Sequence, residues 1–219
     1  MAAFAQQSKP AATIVQPGAP GQPSKALSLA DLRKPSQTPA EADVSFMQGM
    51  IHHHAQAVEM VDLLRTRGQS KQLQAFGERI AISQADEIMY MKQWLEDRGQ
   101  PTSMAPTGVA HTGMDHMADM KGMDMKGMDL DRMSGMPPMP GMLTPEQMAA
   151  LAKAKGAEFD HLFLTGMIQH HTGALTMVDD LFDVPGAAQD PVLFDFTTDI
   201  TNTQSAEIKI MQGMLEGKK

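Results

Sequence analysis

Gly49-Met50-Ile51-His52-His53-His54-Ala55-Gln56-Ala57-Val58-Glu59-Met60-Val61 returns later in the same chain as Gly166-Met167-Ile168-Gln169-His170-His171-Thr172-Gly173-Ala174-Leu175-Thr176-Met177-Val178. Glycine, methionine, isoleucine, a histidine pair, alanine, methionine and valine recur in register, so the chain contains an internal repeat. At about 100° per residue, Phe46, Met50, His53, Ala57, Met60 and Leu64 form one helical stripe, with His54 and Val61 on its shoulder. The second copy gives Phe163, Met167, His170, Ala174, Met177 and Leu181, with His171 and Val178 on the shoulder. The outward position is His52 in one copy and Gln169 in the other, so the shared feature is the inward histidine pair and its methionine.

A second repeat lies downstream of each copy. Gln84, Glu87, Ile88, Met91 and Leu95 match Gln204, Glu207, Ile208, Met211 and Leu215. Helix signals frame both units. Thr38-Pro39-Ala40-Glu41 and Thr144-Pro145-Glu146-Gln147 each place a capping residue before a proline, with Glu or Gln following. Ser70 opens a helix predicted to run through Arg98, and Asp190-Pro191 opens one ending near Gly217. The third helix is predicted to run from Thr144 to about Asp183 with a bend near Gly156. Two helical hairpins, 38–99 and 144–217, each with one apolar face, close most simply into an all-α four-helix bundle.

Two stretches fall outside this pattern. Residues 1–37 are rich in Pro, Gly, Gln, Ser and Ala and read as a disordered leader, with one short helical turn capped near Ser28. Residues 100–143 are broken throughout by Gly and Pro, yet hold eleven of the chain's 22 methionines. No helical stripe survives that many breakers, and the stretch reads as a flexible methionine-rich linker.

Composition excludes several functions. A net charge of −8, with no cluster of Lys or Arg, argues against a nucleic-acid surface. No apolar run reaches the roughly 18–20 residues of a membrane span. The N-terminus lacks a charged segment followed by an apolar one, although Ala3-Phe4-Ala5-Gln6 resembles the small-residue end of a cleavage site, so a trimmed export signal is the expectation. Absence of cysteine is compatible with an oxidising compartment. No nucleophile–base pair or phosphate loop is present, so hydrolase and kinase readings have no support.

The inward residues carry the chemistry. Four imidazoles near one bundle axis need partners, because an unpaired buried polar group costs roughly 1–3 kcal/mol. Glu87, Glu207 and backbone carbonyls would satisfy them in a purely structural network. The neighbours favour a metal instead: Met50, Met60, Met91, Met167, Met177 and Met211 also face inward, and soft thioethers beside imidazoles suit Cu(I), or Ag(I) as its mimic. Glu87 and Glu207 then either hold the histidines by hydrogen bonds or serve as ligands themselves. A di-iron or di-manganese site normally uses Glu-x-x-His on two helices, which this chain lacks. In the linker, His111, Met114, His116, Met117, Met120, Met123, Met125 and Met128 form Met-x-x-Met and Met-x-Met runs. These can fold several thioethers around one Cu(I), although sacrificial oxidation is the rival use.

Phe46, Gly49-Met50-Ile51, His53-His54, Ala57, Met60, their second-copy counterparts and the repeated Gln/Glu-Ile/Met pattern resemble the domain-of-unknown-function family 305, and within it the copper-binding members of CopM type. The resemblance covers about 40–99 and 144–216. It implies a ferritin-like four-helix bundle, export from the cytoplasm and copper binding or resistance, with the histidine–methionine motif falling on Met50, His53, His54, Met167, His170 and His171. The methionine-rich insertion is not general to the family.

The sequence therefore predicts a periplasmic or otherwise extracytoplasmic protein that sequesters or delivers Cu(I). Its partners are the metal ion and other copper-handling proteins. One rival is a metal-dependent redox enzyme, an oxidase or peroxidase, distinguished by turnover or a peroxide-sensitive optical band. The other is a metal-free interaction bundle, in which replacing His53, His54, His170 and His171 by Leu raises stability without changing metal content.

Overall fold

In the computed structural model, residues 14–16, 23–27, 38–104 and 139–217 are described. They fall into two units, one ending at Thr38 and one beginning at Pro39. In the first unit, strand β1 (Ile14–Gln16) pairs antiparallel with β2 (Lys25–Leu27), Ile14 opposite Leu27. Leader composition alone predicts no regular pairing. The β-branched pair Ile14-Val15 supplies the strand preference that this composition hides.

The second unit contains helices α1 (Glu41–Arg67), α2 (Lys71–Asp97), α3 (Pro145–Lys153), α4 (Gly156–Phe182) and α5 (Pro191–Leu215). Hairpin α1–α2 packs through α1 on α4 of hairpin α4–α5, giving the four-helix bundle expected from the repeat. Three starts follow the sequence signals. Ser70 Oγ accepts from Leu73 N at 3.2 Å, and Asp190 Oδ1 accepts from Val192 N at 2.9 Å. Thr144 and Gln147 exchange both bonds of a capping box, at 3.2 and 2.8 Å.

Two boundaries differ from expectation. The first helix begins at Glu41, after Ala40, and not at Pro39. The cause is Asp43, which is buried: its Oδ2 accepts from Ala40 N at 3.3 Å while Oδ1 accepts from Ala188 N at 2.7 Å, in the α4–α5 connection. The third helix does not bend near Gly156; it ends. Ala154 and Lys155 are extended, and Gly156 restarts the chain with φ +62°, a conformation glycine adopts without strain. Gly156 there forms a parallel bridge with Gly68, and Asp160 on α4 accepts from Gln69 N and Ser70 N at 3.0 and 2.8 Å. These bonds tie the α1–α2 turn to the start of α4.

The core has two apolar clusters. One joins Ala57, Met60, Val61 and Leu64 of α1 to Phe159, Phe163, Leu164 and Met167 of α4. The other joins Phe46, Met47 and Met50 of α1 to Ala174, Val178 and Leu181 of α4. The start of one helix thus meets the end of the other, so α1 and α4 run antiparallel. Their histidine pairs fall midway along each helix, between the two clusters. Gln84 and Glu87 occupy the middle of α2, as do Gln204 and Glu207 on α5. A polar layer therefore crosses the bundle at half height.

Candidate metal centre

All four motif histidines, His53, His54, His170 and His171, have zero exposure. His53 and His170 stack across the α1–α4 contact with ring centroids 3.8 Å apart and planes tilted by 38°. Each is flanked by its chain neighbour, at 6.4 Å for His53–His54 and 6.1 Å for His170–His171. The outward position behaves as its phase requires: His52 is half-buried and Gln169 exposed.

The Nε2 atoms are all engaged. His54 Nε2 donates to Glu87 Oε2, and His171 Nε2 to Glu207 Oε2, both at 2.6 Å. Ser83 Oγ donates to the other oxygen of Glu87 at 2.9 Å. His170 Nε2 donates to the His53 carbonyl at 2.8 Å. By pseudosymmetry His53 would bond the His170 carbonyl; instead it donates to Pro140 O at 3.0 Å. Carbonyl and carboxylate oxygens only accept, so the imidazole proton sits on Nε2 in all four rings. None of the four Nδ1 atoms has a hydrogen-bond partner, and in a neutral ring each is a lone-pair donor.

Burial keeps the stacked pair neutral. It lowers the His53 pKa to about 3, with the neighbouring His54 adding to the effect and the Pro140 carbonyl opposing it. His170 is held well below the ordinary histidine value, first by burial and then by His53 and His171. A neutral imidazole with its proton fixed on Nε2 is the form that binds a metal through Nδ1.

The methionines surround this layer unequally. Met50 and Met91 are fully buried in one cluster, Met60, Met167 and Met211 in the other, and Met177 is half-buried at the edge of the first. Met60 places its methyl against Gly166, where a Cβ would lie 3.2 Å away. Among the described residues no three His, Asp or Glu side chains meet at one point, so a carboxylate-rich centre for a hard ion has no ligand set here. The linker candidates His111, Met114, His116, Met117, Met120, Met123, Met125 and Met128 lie outside the described residues.

A strap of residues 139–143 departs from the sequence pattern, which assigns the whole of 100–143 to a flexible linker. Leu143 is buried and exchanges two bonds with Gln56: Leu143 N donates to Oε1 at 2.7 Å, and Nε2 donates to Leu143 O at 3.0 Å. Gln169 Nε2 donates to Gly141 O at 3.3 Å. Backbone meets backbone where Gly141, with φ +75°, crosses Gly173; a Cβ on Gly173 would lie 2.1 Å from Pro140 O. Gln84 and Gln204, to which the sequence pattern assigns no role, are buried in the polar layer with Oε1 unpartnered in both. Their signal is a polar residue recurring on an inward face.

The profile of the family described as "Domain of unknown function (DUF305)" matches residues 43–215. The chain belongs to the DUF305 family. Its fold is shared with a protein described as "putative secreted protein DUF305" from Streptomyces coelicolor, at 24% identity and TM-score 0.62, covering 81% of this chain and 95% of that one. A DUF305 fragment from Deinococcus radiodurans aligns at 24% identity and TM-score 0.61, covering 82% and 99%. CopM in its Cu(I)-bound form aligns at 25% identity and TM-score 0.54, covering 80% and 96%, and its Ag-bound form at 25% and 0.53. No functionally curated relative matches the chain. Among the described residues no helix is long and apolar enough to cross a membrane.

Proposed function

We propose that this DUF305 protein binds copper as Cu(I), and Ag(I) in its place, to sequester or hand on the ion outside the cytoplasm. One observation carries the reading. Four buried imidazoles have Nε2 committed to oxygen acceptors and Nδ1 without a hydrogen-bond partner, in a layer flanked by clusters that hold buried thioethers. His53, His54, His170 and His171 are the candidate nitrogen donors, no more than two of them to one ion because no three meet at a point, and Met50, Met91, Met167 and Met211 are the candidate sulfur donors. A d¹⁰ monovalent ion accepts two or three such soft ligands and rejects the carboxylate geometry that is missing here. Glu87 and Glu207 accept the Nε2 protons of His54 and His171, which orients the rings and raises their basicity toward a metal.

CopM, known in Cu(I)-, Cu(II)- and Ag-bound forms, supports copper or silver as the ion, and the thioethers here favour the monovalent state. The methionine-rich stretch adds exchangeable capture sites, and transfer to other copper-handling proteins follows from ligands that exchange without proton loss. We take the protein to be a carrier and not an oxidase or peroxidase, because both inward carboxylates are spent on histidines. Export is inferred from the cysteine-free composition and from the secreted description of the Streptomyces relative.

The test is anaerobic titration of the full chain with Cu(I) against a competing chelator. Stoichiometric uptake is expected, reduced in a His53→Leu/His170→Leu variant. A chain of the same length with 105–138 replaced by Gly and Ser should lose capacity but keep the tightest site. No stoichiometric uptake by the full chain would refute the proposal. Turnover of a reductant with peroxide or oxygen by the loaded protein would favour the enzymatic reading.

A further inference from the structure

The first glycine of each repeat is a notch on the helix surface. At Gly166, a Cβ would meet Leu143 Cδ2 at 3.0 Å and Met60 Cε at 3.2 Å, so that notch is filled by one leucine and one methionine, both buried. At the equivalent Gly49, a Cβ would meet Met104 Cε at 3.2 Å, Met139 Sδ at 3.4 Å and Met177 Cε at 3.4 Å. Two methionine methyls and one methionine sulfur, from three separate segments, surround one point, with the sulfurs of Met104 and Met177 one bond behind their methyls. All three methionines are only half-buried, so an ion can reach them from solvent.

We propose that Met104, Met139 and Met177 form a three-thioether site for Cu(I) or Ag(I) over Gly49, distinct from the imidazole layer. The inference rests on the copper reading above and adds a site to it. The segments carrying these residues are already pinned. Gln48 Nε2 donates to Pro101 O at 2.7 Å, fixing the chain that leads to Met104. His53 Nε2 donates to Pro140 O at 3.0 Å, fixing the residue beside Met139. Met177 rides on α4. Ligands held by the fold lose little freedom when an ion binds, which raises affinity. Plain packing would require only what the other notch has, where leucine serves; here every group is a thioether. Sulfur ligands without a proton to lose favour a soft monovalent ion over Zn, Mg or Ca. Met104 and Met139 also border residues 105–138, so the site lies where the methionine-rich stretch leaves and rejoins the bundle.

The experiment is an Ag(I) titration of the full chain carrying ¹³C-methyl methionine, with resonances assigned by single Met→Leu variants. The Met104, Met139 and Met177 methyl signals are expected to move together along one binding curve. Met177→Leu should weaken the response of the other two by about 10- to 100-fold, the cost typical of disturbing a metal's environment. Met89→Leu, on an exposed surface, should leave the curve in place. Silver uptake elsewhere with these three methyls unmoved overturns this site alone. So does movement of the three at different stoichiometries, or a Met177→Leu variant in which the other two respond unchanged. No silver uptake by any part of the chain overturns this site and the copper reading together.

Discussion

Gly173→Ala isolates the strap that breaks the pseudosymmetry. The first repeat has Gln56 at this position, and the second has glycine because Pro140 and Gly141 run across the helix there. A Cβ on Gly173 would lie 2.1 Å from Pro140 O, 2.3 Å from its carbonyl carbon and 2.4 Å from Gly141 Cα. All three are backbone atoms, so no side-chain rotation relieves the clash and the strap must lift. Lifting it exposes Leu143, which costs about 2 kcal/mol. It also breaks the His53–Pro140 bond and the two Gln56–Leu143 bonds, at about 1 kcal/mol each. Replacing glycine by alanine inside a helix returns up to about 1 kcal/mol. The balance is a loss of about 4 kcal/mol.

Gly213→Ala is the matched control, because nothing lies within 4 Å of a Cβ there. It should gain about 0.5–1 kcal/mol from helix propensity alone. Urea denaturation of the metal-free proteins measures both changes, and hydrogen exchange at the Leu143 amide reports whether the strap has lifted. If Gly173→Ala stabilises the chain as Gly213→Ala does, with the Leu143 amide still protected, the strap does not pack as described.

Three further outcomes are expected. His53 and His170 stay neutral in the folded protein but protonate near pH 6.5 when unfolded, so the unfolded chain binds more protons and stability falls as pH drops below 6.5, for His53 down to about 3. The slope is about 1.4 kcal/mol per pH unit for each histidine; a urea midpoint that is flat between about pH 6.5 and 4.5 would contradict their burial as neutral rings. Glu87→Gln and Glu207→Gln should each weaken Cu(I) binding by about 10- to 100-fold in chelator competition, with the helical signal unchanged. Asp190→Ala removes the α5 cap and the partner of Arg98, which is buried against Trp94 with its guanidinium 4.1 Å from the ring. Thermal or urea unfolding should show a loss of about 3–5 kcal/mol, since the Arg98 charge is left without its counter-ion; a change under about 1 kcal/mol would show that Arg98 finds another partner.

The bundle is readable because its signals are local and doubled. A histidine pair flanked by apolar residues at helical spacing can face only one way, and its recurrence identifies the two hairpins as equivalent. Ser70, Thr144 and Asp190 cap helices by contacts two or three residues long, which a sequence displays directly. What escapes the sequence depends on contacts distant in the chain. Lys153-Ala154-Lys155 has no breaker of its own, and the helix stops there where Gly156 meets Gly68. Pro39 is a good first helical residue, but buried Asp43 draws the start to Glu41 by bonding Ala40 and Ala188 together. The strap resembles linker because Pro140 and Gly141 exclude helix; nothing local says they pack on Gly173. The one trace is the substitution within the repeat, glycine where the first copy has glutamine.

The two kinds of position in this duplication carry different information. Residues equal in both halves, the histidine pairs with Glu87 and Glu207, build a polar layer between two apolar clusters. Four orphan nitrogens there would each cost roughly 1–3 kcal/mol, so a layer that evolved only for stability would be better filled with leucine. Under the copper proposal, a soft ion would remove that cost by giving the Nδ1 atoms a partner, and the carboxylates behind His54 and His171 would make those rings better donors. Residues that differ between halves, Gly173 against Gln56 and the methionine-filled notch at Gly49 against the Met60–Leu143 notch at Gly166, all gather where the chain leaves and re-enters the bundle around 105–138. On the copper proposal, the symmetric part would hold the ion away from water. The asymmetric part would give it one half-buried, thioether-lined side from which to arrive, a division that a carrier requires and a purely structural bundle does not.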